Sequence, residues 1–284
     1  MILLTGATGT IGRATIAALR AANAQFKVAA RNPADLHALG VPSVIFDWDQ
    51  LGSYLPALQG VDRLFLLTPN SERQVGYILQ AVAAARRAGV RQIVRVSVMG
   101  ADAEPGIILG RQHVAAEREI RASGIGWTIL RPTFFMDNFV RYYGVDPSRD
   151  SQVYLPNGEG KAAWVDPGDV GAVAARVLCS ESDAGSVIDL TGPELLSTAE
   201  ALSVIGSVLG HRYDYVDISE QAAREAMEKT GMPAWLVDAF LELNALIRQG
   251  QAATLASGVE QVLGRPPRSM REWATRLKTA PGTA

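Results

Sequence analysis

The opening stretch MILLTGATGTIG limits this chain to few folds. A short apolar run, MILL, leads straight into glycines at positions 6, 9 and 12, and a helical pattern, IGRATIAALRAA, overlaps the end of the turn. Strand, glycine turn and helix together form the unit that binds a dinucleotide pyrophosphate. Glycine permits the tight turn and a close approach of backbone to phosphate, and the helix N-terminus favours the negative charge. A glycine-rich surface turn that binds nothing has the same composition, so the strand before it and the helix after it carry the weight. Gly6, Thr8, Gly9, Thr10 and Ile11 are the expected cofactor-binding positions, with Gly12 letting the helix pack tightly on the strand.

Five further apolar runs, FKVAA, SVIF, RLFLL, QIVRVSV and WTILR, read as buried strands because they are continuous rather than alternating. Helical patterns such as RQVGYILQAVAAARRAG and HVAAEREIRASG stand between them. That alternation predicts an α/β fold: a Rossmann-type doubly wound parallel sheet with helices on both faces. After Arg131 the rhythm loosens into a loop and short strand (VYLPNGEGKAAWV), a helix (GDVGAVAARVL) and a strand (SVIDLTG). The last part is mainly helical. We expect residues 1–133 with 167–192 to form the NADP-binding core, and 134–166 with 193–284 a smaller substrate-binding part.

Bulk composition excludes several classes. Lys and Arg total 27 against 29 Asp and Glu, with no basic stripe, so nucleic acid is not an expected partner. The single cysteine, Cys179, has no internal disulfide partner, and a cytoplasmic protein is the natural reading. His37, His113 and His211 are scattered, and no Cys/His cluster has metal-ligand spacing. No basic leader with an apolar core and no membrane-length apolar run is present. The expectation is a protein without metal or membrane partner, either monomer or homodimer.

The second strand ends at Arg31, where an acidic residue would hold the ribose 2′-hydroxyl of NAD and an arginine suits the 2′-phosphate of NADP. Asp35 comes only after Pro33. A solvated loop arginine is the bland alternative. Thr68, Pro69 and Asn70 follow the fourth strand, at the edge where a parallel sheet places cofactor contacts.

The spacing Gly-x-x-Gly-x-x-Gly resembles the extended and atypical short-chain dehydrogenases/reductases. The stretches TGATGTIG, AARNP, GVDRLFLLTP, AAARRAGVRQIVRVS, RQHVAAEREIRASGIGWTILRPTFFMDN and WVDPGDVGAVAARVL resemble the NmrA-like branch more closely. That branch includes NADPH-dependent quinone, triarylmethane-dye and azo-dye reductases. The resemblance implies NADPH, with no flavin, and Arg31 as a 2′-phosphate ligand assisted by Arg13. It likens Asp47 and Trp48 to an adenine-contacting loop, against the alternative of an ordinary polar loop. It also implies that Pro132, Thr133 and Phe134 run past the nicotinamide.

Better-known members of the superfamily carry a Ser or Thr at the end of the fifth strand and a Tyr-x-x-x-Lys pair on the next helix. Four residues apart on a helix means one face, so the lysine can tune the tyrosine as acid or base. Aligning through AAE, residues 115–117, puts His113 at the lysine position and Leu109 at the tyrosine position. Leucine cannot donate a proton. Ser97 survives but is a poor acid. His113 and Ser97 are thus the only, and weak, catalytic candidates. For His113, three readings stand open: a helix-start histidine, a hydrogen bond to the nicotinamide ribose, and direct proton donation.

Epimerase, dehydratase and simple ketone-reductase chemistry are disfavoured. Hydride transfer to an acceptor that stabilises its own product charge remains, such as a quinone, an azo dye or a triarylmethane dye. Phe134, Phe135, Met136, Asn138 and Tyr142 in TFFMDNFVRYY, with Met99 after the fifth strand and Trp235 and Phe240 in the late helices, would line a pocket for a flat aromatic acceptor. Core packing explains the aromatics equally well. A non-catalytic NADP-binding redox sensor is the alternative function.

Overall fold

The structure is a computed structural model that describes residues 1–32, 40–180 and 185–279; Pro33, Asp35 and His37 lie outside the described residues. In chain order the elements are β1 (Ile2–Leu4), α1 (Thr10–Ala21), β2 (Phe26–Ala30), β3 (Ser43–Ile45), α2 (Tyr54–Leu58), β4 (Arg63–Leu66), α3 (Gln74–Ala88), β5 (Gln92–Val96), α4 (Ile108–Ala122) and β6 (Gly126–Pro132). They continue as α5 (Asn138–Arg141), β7 (Ser151–Leu155), β8 (Lys161–Ala162), α6 (Pro167–Cys179), β9 (Ser186–Leu190), β10 (Leu196–Ser197), α7 (Thr198–Leu209), β11 (Tyr213–Asp217), α8 (Glu220–Lys229), α9 (Ala234–Arg248), α10 (Gly258–Leu263) and α11 (Met270–Thr279).

The chain folds as two compact units. The first comprises Met1–Pro132, Pro167–Asp189 and Gln261–Gly264. A seven-stranded sheet in the order β3-β2-β1-β4-β5-β6-β9 is the scaffold of this region, and the registered neighbours from β3 to β6 are all parallel. The order reverses at β1, between β2 and β4, so the glycine turn after β1 lies at the topological switch point.

Strand side chains alternate in direction. Leu3, Leu64, Leu66 and Ile93 join Tyr54, Ala57, Ile78, Ala81, Ala116 and Ile120 of α2, α3 and α4 in one core. The alternate residues Leu4, Phe65 and Val94, also buried, point to the other face. Helices α1 and α6 pack against each other so closely that a Cβ on Gly171 would stand 2.6 Å from Ala14. SVIF departs from the expectation of a buried strand: Ser43 and Ile45 of β3 are exposed, because β3 is the sheet edge.

The second unit comprises Thr133–Asp166, Leu190–Glu260 and Arg265–Ala284. Its core gathers Met136, Phe139, Val153, Trp164, Leu202, Ile205, Met270 and Trp273. Besides helices it holds two small sheets, β11 parallel to β7 and β10 antiparallel to β8. The start of α7 is set by a capping box: Glu200 N–H donates to Ser197 Oγ at 3.2 Å, and Ser197 N–H donates to Glu200 Oε2 at 2.8 Å. Among the described residues no helix is long and apolar enough to cross a membrane.

Candidate active site

The carboxyl edge of the first unit's sheet collects most of the expected cofactor positions. Gly6 takes a left-handed φ of +68° that other residues rarely adopt, and it packs under Leu67 beyond β4. A Cβ on Gly12 would stand 2.1 Å from the Gly6 carbonyl, so only glycine lets α1 begin this close to β1. Gly9 is different. A Cβ there would meet only the Gly6 carbonyl, at 3.4 Å, so crowding within the chain does not explain the glycine. The space it leaves is what an approaching phosphate needs.

Gly9 is the N-cap of α1 with no side-chain cap, and no acidic residue stands in the first turn. The first intrahelical bond runs from Arg13 N–H to Gly9 O at 2.9 Å, so the amides of Thr10, Ile11 and Gly12 have no carbonyl one turn back. Three helix-start N–H groups and an open glycine fit a pyrophosphate. Thr8 is exposed on the turn, and Arg13 Nε donates to the Thr8 carbonyl at 3.0 Å. Arg31 lies exposed immediately after β2.

Asp47 and Trp48 follow β3 by one residue. Asp47 organises its own turn, accepting from Asp49 N–H at 3.0 Å and from Gln50 Nε2 at 3.2 Å. Trp48 is half-buried in an aromatic cluster with Phe46, Tyr54 and Tyr77, at centroid distances from 4.8 to 5.9 Å. Both residues therefore have structural tasks of their own. Beyond β4, Pro69 and Asn70 are exposed, whereas Thr68 is buried and accepts from Gln74 Nε2 at 2.8 Å.

The structure narrows what the two catalytic candidates can do. Ser97 is sealed from solvent, and its hydroxyl donates to Glu117 Oε1 at 2.6 Å. Its proton is held by a buried carboxylate and is withdrawn as a source for substrate. Glu117 is also clamped by Arg131, whose Nε reaches Oε1 at 2.9 Å and Nη2 reaches Oε2 at 2.7 Å. Arg131 Nη1 continues to Asp102 at 2.9 Å. This buried ionic cluster locks α4 to β5 and β6. Sequence reasoning used Glu117 only as an alignment mark and missed it.

His113 lies on α4 with its side chain buried. Burial, reinforced by the Arg95 guanidinium, pushes its pKa down to about 3. At neutral pH it is an uncharged imidazole and cannot deliver a proton as imidazolium. It is withdrawn as a general acid for the same reason. Leu109, one turn earlier, is also buried and apolar.

The depressed pKa has a consequence for stability. The unfolded chain binds a proton at this histidine below about pH 6.5, while the folded chain resists doing so until about pH 3. Stability contributed by neutral His113 is therefore present above the unfolded pKa and lost as pH falls. Unfolding free energy should drop between about pH 7 and about pH 5, and His113→Gln should drop less. Equal pH slopes for both proteins would remove the assignment.

The acceptor-wall candidates divide. Met99, which follows Ser97, is half-buried, and its N–H donates to the Pro132 carbonyl at 2.9 Å. In the second unit, Phe134 packs edge-on against Trp164 at 5.7 Å, and Phe135 bridges to Val165. Both Phe134 and Phe135 keep part of their surface open. Met136 is corrected: only 1% exposed, it is packed in the second core beside Trp164 and offers no free face. Asn138 begins α5 and hydrogen-bonds Tyr143. Tyr142 is exposed and tilted over Phe240 at 6.5 Å, and Trp235 is half-buried at the start of α9. Among the described residues no three His, Cys, Asp or Glu side chains are placed to hold a metal ion.

The model of the NmrA-like family matches residues 1–274. The chain belongs to this family. The NAD(P)H azoreductase of Xenophilus azovorans is 34% identical over 287 residues, covering 100% of both chains. The Escherichia coli NADPH-dependent quinone oxidoreductase, solved with NADPH, superposes with a TM-score of 0.85 at 26% identity, over 98% of this chain and 99% of that one. The triphenylmethane reductase of a Citrobacter species, solved with NADP(H), shares the fold with a TM-score of 0.81 at 23% identity, over 98% and 99%.

Proposed function

We propose that this NmrA-like protein is an NADPH-dependent reductase of conjugated, electron-poor aromatic acceptors such as azo dyes and quinones, working without an enzymic acid. The observation that carries the acid-free part is the state of the three candidate positions. Leu109 has no proton to give, Ser97 donates to Glu117, and His113 is held neutral. The relatives named as azo-dye and quinone reductases support the acceptor class.

NADPH supplies a hydride when bound. The amides at the start of α1 would take its pyrophosphate, Arg31 its 2′-phosphate, and Thr68, Pro69, Asn70 and His113 its remaining polar edge. Pro132, Thr133 and Phe134 continue that line in sequence. Phe134 and Phe135 would stack a flat acceptor on their open faces. The product anion must then stabilise itself or take a proton from solvent. The first unit is read as the cofactor part and the second as the acceptor part, in a cytoplasmic monomer or homodimer.

Steady NADPH oxidation across an acceptor panel tests the reading. Quinones, and azo dyes whose ortho or para hydroxyl lets them tautomerise to a hydrazone, should outrun simple ketones, with rates that follow electron affinity. Full azo cleavage takes four electrons, so a two-electron donor must act twice. Shrinking Phe134 or Phe135 to alanine should cost roughly 1–3 kcal/mol in acceptor kcat/KM and weaken NADPH binding less than that. Efficient turnover of an unactivated ketone would overturn the acid-free mechanism. Tight NADP binding without turnover on any acceptor would point to a redox sensor.

A further inference from the structure

Arg95 lies in the middle of the buried strand β5, 1% exposed. Among the described residues no carboxylate comes within ion-pairing distance of it. Its Nη1 donates to the Leu66 carbonyl at 3.1 Å, and its Nη2 stands 3.3 Å from Thr68 Oγ1 and 3.5 Å from His113 Nδ1. Its Nε–H is buried without any partner, as are Gln74 Oε1 and Gln112 Oε1 close by in sequence to these contacts. A buried, incompletely satisfied cation is expensive, and an apolar side chain of the same length would fill the space at lower cost. Stability therefore does not account for an arginine here.

The geometry of Nη2 gives it a task. A guanidinium carries donors only and stays protonated, and the two atoms within reach of Nη2 can satisfy it only by offering lone pairs. Thr68 Oγ1 offers one. His113 Nδ1 can offer the other only when it carries no hydrogen, which leaves the imidazole proton on Nε2. A second proton on Nδ1 would set two N–H groups against each other beside a full positive charge. Nε2, on the far side of the ring, has no protein partner among the described residues and is not one of the sealed, unpartnered polar atoms, so it shares in the 8% of His113 that solvent reaches.

We propose that Arg95 is a positioning residue, fixing His113 as a neutral imidazole with its proton on Nε2, so that the site presents a hydrogen-bond donor that is never an acid. The ligand atom opposite Nε2 must then be an acceptor, a hydroxyl or carbonyl oxygen. Thr68 is positioned by the same guanidinium. With donors arriving from Arg95 and from Gln74 Nε2 at 2.8 Å, both of its lone pairs are filled and its own hydroxyl proton is left to be donated. One buried cation thus orients two neutral donors at the end of β4 and on α4. Among the described residues, no titratable group other than Arg95 acts on His113 from the elements around it; Glu117 acts on Arg95 itself, raising its pKa against the lowering by burial.

Nitrogen-detected NMR of the ligand-free protein tests this without any turnover. The chain holds three histidines, so single His→Gln variants assign their signals. The expected result is an His113 with a pyrrole-type Nε2 and a pyridine-type Nδ1, unchanged from about pH 8 to about pH 5. In Arg95→Met, kept only if its amide spectrum remains dispersed, the two tautomers should mix and the titration should move up in pH. Arg95→Lys, which retains a charge but not the fork, should keep the titration low while loosening the tautomer. A wild-type His113 with its proton on Nδ1 would overturn the proposal even if no Arg95 variant folded. So would an Arg95→Met protein whose tautomer and titration match wild type. The readout is independent of the acceptor, so failure of the reductase reading would leave it intact. In active protein, acceptor kcat should be flat with pH in wild type and fall on the acid side in Arg95→Met.

Discussion

Glu117→Ala should lower the unfolding free energy by about 3–5 kcal/mol, the range found when one partner of a buried ion pair is removed. Glu117 is 1% exposed and accepts four hydrogen bonds, one from Ser97, two from Arg131 and one from Arg121. Without it the Arg131 guanidinium, with 8% of its side chain exposed, keeps among the described residues only Asp102 as an ion-pair partner, which is 63% exposed and screened by water. Ser97 loses its acceptor at the same time. Glu117 and Asp102 hold the Arg131 pKa above its ordinary value, against the lowering by burial.

Glu117→Gln keeps the volume and one acceptor oxygen but loses the charge and the paired clamp, so its cost should fall between wild type and alanine. Arg121→Ala is the control. Its contact at 3.1 Å is one of four at Glu117 and comes from a side chain 42% exposed that also covers the Trp127 ring at 5.0 Å, so its removal leaves the Arg131 clamp intact and should cost less than Glu117→Ala. Urea unfolding with an unchanged m-value reads all three. A Glu117→Ala loss below about 1 kcal/mol would mean that the cluster relaxes into water rather than locking α4 to the sheet.

The same cluster shows where sequence reading stopped. Six continuous apolar runs and the stretch SVIDLTG located the seven strands of the main sheet; the strands in its middle are covered on both faces, which leaves no room for polar alternation. The glycine turn was equally legible, because positive φ and backbone contact at 2.1 Å leave glycine as the sole solution. What a linear pattern does not carry is which polar residue meets which. Ser97 and Glu117 are 20 residues apart, and a strand-end serine reads alike whether its hydroxyl faces solvent or a buried carboxylate. Arg95 sits inside QIVRVSV, where one arginine in an apolar run resembles an edge residue; only the neighbours Leu66, Thr68 and His113 show it to be buried.

Met136 failed in the opposite direction. In FFMDN it stands among residues with open faces, yet Trp164, arriving from later in the chain, closes over that core. Likewise the parallel pairing of β11 with β7 joins strands about 60 residues apart in a region whose helical patterns dominate. Short polar strands such as YDYVD have no buried face pattern to announce them.

Arg31→Asp should raise the KM for NADPH by one to two orders of magnitude and leave NADH nearly unaffected. Arg31 follows the last residue of β2, on the strand beside β1, and is exposed, so it is free to meet a ligand without breaking a core contact. The substitution removes a charge-assisted contact to a doubly charged phosphate and sets a carboxylate against it. Together these changes cost roughly 2–3 kcal/mol, which converts to about a hundredfold. NADH has a hydroxyl at that position, and a carboxylate accepts a hydrogen bond from it, so its KM should hold or improve. Because the side chain is exposed, folding stability should stay within about 0.5 kcal/mol of wild type, and a thermal melt separates this outcome from misfolding. Arg13 is the internal comparison. It is exposed after the glycine turn and donates to Thr8 O, so Arg13→Ala should weaken NADPH less than Arg31→Asp. Parallel weakening of NADPH and NADH would show that Arg31 shapes the loop instead of reading the 2′-phosphate.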